Sequence, residues 1–297
     1  MRSTRRPRPY SDRVSDRLRP LWSFDDLGAT EERLRAQLSV EATDEGRSEV
    51  LTQLARVEGL RGDFDAGERL VEEAAALAGT GGVAAARVDL ERGRLRRSSG
   101  QVEAALPLFE TAFETALEAD QHYVAADAAH MAALAAPDRD GFVTWTRRGI
   151  ELAEAQEGAA YWLGPLLNNL GWEYYEAGEP ELALDAFERA LRARERDLAN
   201  REGLALARYA VGKALRALGR SEEAIPLLEQ AVAWAEGESS PDGWFHEELA
   251  EEYAAAGRDT EAREQARLAL PLLLEADPGF DADEKRADRL RALASSP

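Results

Sequence analysis

Three histidines, two lysines and no cysteine leave this chain of 297 residues few groups for nucleophilic, redox or metal chemistry. His122 and His130 are eight residues apart, too far for one helical turn, and each reads as a packing or surface residue. His246-Glu247-Glu248-Leu249-Ala250 begins like a zinc-protease helix, but the second histidine is missing and the ligand pair fails. Gly79-Thr80-Gly81-Gly82 lacks the lysine of a phosphate loop and reads as a linker. No nucleophile elbow is present. With 57 carboxylates any acid–acid spacing can be found, so paired-acid arguments carry no information. The expectation is a chain that is not an enzyme, with no catalytic residue, no metal site and no cofactor.

Charge narrows the partners further. A net charge of −20 argues against general nucleic-acid binding, because neutralising phosphates takes clustered cations. Residues 1–20 run against this trend, with seven Arg, only Asp12 and Asp16 opposing them, and Pro7, Pro9 and Pro20. They read as a basic flexible tail with a net charge of +5, leaving −25 on the rest. No apolar run approaches the ~18 residues that span a bilayer, and Arg5-Arg6 is followed by no hydrophobic segment. The expected location is therefore the cytoplasm, with no membrane partner. At 44% hydrophobic and 32% charged residues, the chain can bury a large core.

That core is written in a repeated pattern. A position held by a small residue in all copies but the third recurs at 55, 93, 130, 171, 212 and 250, with spacings of 38, 37, 41, 41 and 38. Seven residues after each stands a turn residue: Gly62, Gly100, Pro137, Gly178, Gly219 and Gly257. Small residues follow in a second segment, among them Ala105, Ala183, Ala224 and Ala262, then Ala74, Ala112, Gly149, Ala190, Ala231 and Ala269. Small side chains let two helices approach closely while Leu170, Tyr174 and Phe187 fill the space around them. A period of this length means helical hairpins stacked in an array. Pro107 and Pro226 share one repeat position, expected in the opening turn of the second helix. The third copy is irregular, with His130 at the small position, Pro137 at the turn and Phe142 where Ala belongs, which predicts a splayed or shifted hairpin.

The pattern Leu170-Gly171, Tyr174, Gly178, Ala183, Phe187, Ala190 resembles the tetratricopeptide repeat in full, and 211–231 and 249–269 resemble it nearly so. The 41-residue spacings and Leu167-Asn168-Asn169-Leu170 are similar to the extended repeats of kinesin light chains, and the whole is similar to uncharacterised stand-alone bacterial members. The resemblance implies an all-α fold, a right-handed α-solenoid of about six helical hairpins with capping helices at both ends. The expected organisation is a tail at 1–20, a covering helix within 21–43, the six-repeat solenoid over 44–280 and a C-terminal capping helix within 281–297.

The resemblance also implies a concave groove lined by positions 2, 5, 6, 9, 12 and 13 of each repeat, counted from 48, 86, 123, 164, 205 and 243. Those positions hold Arg56, Arg87, Arg94, Arg97, Met131, Asn168, Asn169, Trp172, Tyr175, Tyr209, Lys213, Arg216 and Trp244, beside Glu49, Asp127, Glu176, Glu247 and Glu251. Cations and aromatics on an acidic body are the types that anchor interfaces, and amides can bond a peptide backbone in both directions. The implied function is an adaptor or scaffold whose partner is a protein or peptide bearing carboxylates. The competing reading pairs these cations with internal carboxylates. Asn169 matches a groove asparagine of the carboxylate-clamp members, but Lys is missing at position 5 of every repeat, which counts against clamp-type docking. A peptide- or metabolite-sensing regulator and a structural homo-oligomer are the alternatives, and the oligomeric state is not written in the sequence.

Overall fold

Alternating apolar stripes and glycine stops give helices and nothing else. The computed structural model describes residues 16–196, 200–277 and 279–295, and these described residues form fourteen α-helices and no strand. The first, α1 (Leu27–Val40), is capped by the Asp26 carboxylate, which accepts from the Ala29 N–H at 2.9 Å. Six hairpins follow: α2 (Asp44–Arg61) with α3 (Phe64–Ala78), α4 (Gly82–Ser98) with α5 (Val102–Glu118), and α6 (His122–Ala135) with α7 (Arg139–Ala155). After a short 3-10 helix at Glu157–Trp162 come α8 (Leu163–Glu176) with α9 (Pro180–Arg194), α10 (Arg201–Ala217) with α11 (Ser221–Gly237), and α12 (Gly243–Ala255) with α13 (Asp259–Ala276). The last helix, α14 (Glu284–Ser295), is capped by Asp283, which accepts from the Arg286 N–H at 3.1 Å.

Five of the six hairpin turns use the glycine that the repeat predicts. Gly62, Gly100, Gly178, Gly219 and Gly257 have φ between 69° and 86°, where a side chain would be strained. The next residue then bonds back across the turn, as Asp63 N–H does to the Glu58 carbonyl at 3.0 Å and Arg258 N–H to that of Tyr253 at 2.8 Å. The third turn is made differently: Ala136 is extended before Pro137, ending α6 one residue earlier, and Asp138 caps α7.

The third hairpin corrects the sequence alignment by one residue. Ala129 is the fully buried small residue, facing Gly149, and His130 is displaced onto the half-buried side with its ring against Trp162 at 5.3 Å. The second helix starts ten residues after Ala129, against nine after the small residue of every other hairpin, so one extra residue between them absorbs the shift. The two prolines need a second correction. Pro107 and Pro226 are the sixth residues of α5 and α11, past the opening turn. Both are exposed, as are Glu103 and Glu222 four residues earlier, whose carbonyls the missing N–H groups would have met, so water can take that place.

The chain divides into two compact units, residues 1–166 and 167–297. In the first, Leu18, Leu34, Val50, Leu54, Val71 and Ala74 form a core against α1, α2 and α3. The tail expected at 1–20 falls mostly outside the described residues, but its last part is anchored: Asp16 and Leu18 are buried, Leu18 being 1% exposed, and Arg17 bonds Glu41 and Glu49. In the second unit, Ala250, Ala266, Ala269 and Leu273 pack on Phe280, Ala287 and Leu290, so the short 3-10 turn at Phe280–Ala282 and α14 cover the last hairpin.

Candidate functional site

In the first unit, the first helices of the three hairpins present a row of charges that are joined to one another. Arg87 on α4 is 5% exposed and bonds Asp16 at 2.5 Å and Glu49 of α2 at 3.2 Å. Arg94, one helical stripe further along α4, bonds Glu91 at 2.5 Å and Asp127 of α6. Burial disfavours the charge on such groups, but the opposed carboxylates hold both guanidinium pKa values above the arginine range, and Arg94 with Arg56 holds Asp127 below the carboxylate range despite its burial. Arg97 donates to the Leu134 carbonyl at 3.2 Å.

Arg56 stands apart. Its guanidinium lies over the rings of Trp22 and Phe24, at 5.1 and 5.5 Å from the centroids, and it makes no hydrogen bond or ion pair among the described residues. Burial and the nearby Arg94 lower its pKa, with Glu91 and Asp127 opposing. Arg19 closes this face by donating to the Tyr161 hydroxyl at 3.2 Å, and Tyr123 lies against Tyr161 and Trp162 at 5.7 Å from each. Two cavities open here. One of about 180 Å³ is lined by Met131, Arg56, Glu91, Arg94 and Leu95, and one of about 50 Å³ lies between Arg56, Glu91 and the aromatic cover.

The second unit presents a different face. Asn168, Trp172 and Tyr175 fall at i, i+4 and i+7 on α8, and Tyr209, Lys213 and Arg216 repeat that spacing on α10, which puts each trio on one stripe. Trp172 meets Tyr175 edge-on at 5.6 Å, Phe187 at 5.1 Å and Tyr209 at 6.4 Å, and Tyr209 continues to Phe245 at 5.2 Å. Lys213 Nζ sits 5.8 Å from the Tyr209 ring centroid and 3.0 Å from Glu248, which also holds Arg216. Asn168 is half-buried and makes no side-chain hydrogen bond among the described residues. Glu247 and Glu251 are taken up by Arg286 and Arg289 of α14, and Trp244 packs into the C-terminal core.

Comparison with known proteins agrees with this layout. Models of the tetratricopeptide repeat match residues 164–197 and 205–237, the hairpins α8–α9 and α10–α11. The apo form of RapI superposes with a TM-score of 0.71 at 12% identity, over 96% of this chain and 80% of that one. This chain is a tetratricopeptide-repeat protein. Its repeats form an all-α helical-repeat solenoid. A signal-transduction ATPase with numerous domains from Pyrococcus horikoshii, which has a tetratricopeptide-repeat sensor, superposes at 0.67 and 14% identity, over 89% of this chain and 42% of that one. BtubC from P. vanneervenii does so at 0.56 and 18%, over 73% and 90%. No curated protein matches the chain in sequence.

Within these repeats the thirteen expected groove residues separate into three sets. Arg87, Arg94 and Arg97 are engaged inside the first unit, and Trp244 belongs to packing. Arg56 and Met131 line a cavity of the first unit. Asn168, Asn169, Trp172, Tyr175, Tyr209, Lys213 and Arg216 belong to the second. Glu91 and Glu248, each about 1–2% exposed and holding the arginines and the lysine, were missed. Glu91 had a positional signal, following Arg87 by four residues and preceding Arg94 by three, whereas Glu248 had none. Trp22, Phe24, Tyr161 and Trp162 lie outside the repeat register and left no such signal. No group of three or more His, Asp or Glu among the described residues is placed to hold a metal, and no described helix is long and apolar enough to cross a membrane.

Proposed function

We propose that this tetratricopeptide-repeat protein is a non-catalytic adaptor, and that the stripe of α8 and α10 receives a peptide segment bearing a carboxylate. The observation that carries the reading is the Asn168 amide, half-buried and without a hydrogen bond beside Trp172, Tyr175 and Tyr209. An amide can accept from and donate to an extended backbone, and the aromatics supply contact area at low entropic cost. Lys213 and Arg216 share one carboxylate, Glu248, so this cluster keeps one positive charge in excess. A single carboxylate on the peptide would balance it.

The test is a peptide array of acidic and amide-matched neutral sequences, followed by fluorescence polarisation on the best binder. Asn168→Ala, Trp172→Ala and Lys213→Gln are each expected to weaken binding by about tenfold or more. Charge reversal of Arg94, by contrast, would break a buried ion pair and report on folding rather than on the partner. Binding that ignores both the peptide's acid groups and these three substitutions would overturn the proposal.

A further inference from the structure

We infer that the first unit holds a site for a small zwitterion, an α-amino acid with an apolar side chain. Three observations converge on the cavities beside Arg56, none of which involves the peptide stripe of the second unit.

The first is unfilled bonding capacity of both signs at one place. Glu91 is 1% exposed; its Oε1 receives Arg94 at 2.5 Å, while its buried Oε2 has no partner. A buried carboxylate oxygen without a donor costs free energy unless something enters to supply one. Arg56 has the opposite need, because its guanidinium donors meet only aromatic faces. Both side chains line both cavities. An ammonium group would satisfy Glu91, and a carboxylate would satisfy Arg56 as a paired, charge-assisted contact.

The second is which charges around the cavities are already engaged. Arg87 holds Asp16, Arg94 holds Asp127, and Arg19 donates to the Tyr161 hydroxyl. The groups left with open bonding capacity are one carboxylate oxygen, on Glu91, and one guanidinium, that of Arg56. A zwitterion brings one group of each sign to match them.

The third is size and lining. The larger cavity, at about 180 Å³, falls below the roughly 300–1,000 Å³ of drug-sized pockets and suits a molecule of a few heavy atoms. Its remaining walls are Leu60, Leu95 and Met131, with Ser98 and Gly59. An apolar side chain of the ligand would lie against them.

Calorimetric titration of the full chain with L-leucine and L-methionine tests the site. We expect saturable binding, weakened by about tenfold or more in N-acetyl-L-leucine, which lacks the ammonium, and in L-leucinamide, which lacks the carboxylate. Arg56→Gln should weaken it comparably. Met131→Trp fills the cavity without touching an ion pair and should do the same, with circular dichroism and the melting temperature confirming that each variant folds. No saturable binding up to about 10 mM, equal binding of the blocked compounds or of glycine, or binding indifferent to both variants would overturn the inference. Peptide binding at the second unit, with no saturable binding of L-leucine or L-methionine, would leave the adaptor reading standing and sink this one.

Discussion

Gly171 lies so close to Phe187 that a Cβ built on it would come within 2.4 Å of two ring carbons. The two residues are sixteen apart, and Gly93 with Phe109 repeats the arrangement at 2.5 Å, as does Gly212 with Leu228 at 2.8 Å. Each contact fixes how closely the two helices of a hairpin pack.

Gly171→Val should therefore push α8 away from α9. The expected cost is ~1–3 kcal/mol, read as a lower urea midpoint with an unchanged slope. Wild-type stability in this variant would mean that the hairpin is looser than its geometry.

Arg87→Ala removes the cation that Asp16 and Glu49 share in a buried place. Glu49 keeps Arg17, but stranding the buried Asp16 should cost about 3–5 kcal/mol, far more than an exposed pair. Limited proteolysis should then cut near residues 16–24, which the arginine helps to hold.

Glu252 is fully buried and both its carboxylate oxygens lack a partner. Burial, with Glu248 nearby, raises its pKa above the usual carboxylate range. The folded state then keeps a proton that the unfolded chain releases, so this group lowers stability as pH rises through the carboxylate range. Glu252→Gln should raise the melting temperature at pH 7 and give little gain near pH 4, where both states carry the proton. A loss of stability at neutral pH would refute the assignment.

His130 works in the opposite direction. Burial, reinforced by Arg94, Arg56 and Arg97 against Asp127, pulls its pKa from 6.5 down to about 4. The unfolded chain binds a proton first, so stability is lost as pH falls from about 6.5 towards 4. His130→Phe, which keeps a ring against Trp162, should flatten that part of the stability–pH curve. An unchanged slope would place the titration elsewhere.

The hairpins were legible because their signals are local. A glycine at positive φ and a small residue seven positions earlier both act within a turn or two of chain, and five of six turns obeyed them. The third failed by one residue because Ala129 and His130 compete for one slot, and burial chose the smaller. The face was harder to read. Arg87 and Lys213 look alike as sequence, but Arg87 is sealed by Asp16, a residue 71 positions away in a stretch that reads as tail. No periodicity reports such a contact, and the same holds for Glu248 beneath Lys213.

Arg19 and Tyr161 are 142 residues apart, yet one donates to the other at 3.2 Å. In an array where each repeat touches only its neighbours, melting can begin at an end and travel inward one hairpin at a time. Here the leading end is fastened to the segment that follows the third hairpin. Fraying of the leading end must therefore break contacts at the far side of the unit as well. The first three hairpins should accordingly exchange their amide protons as a single cooperative block, without the gradient of protection that an open stack would give.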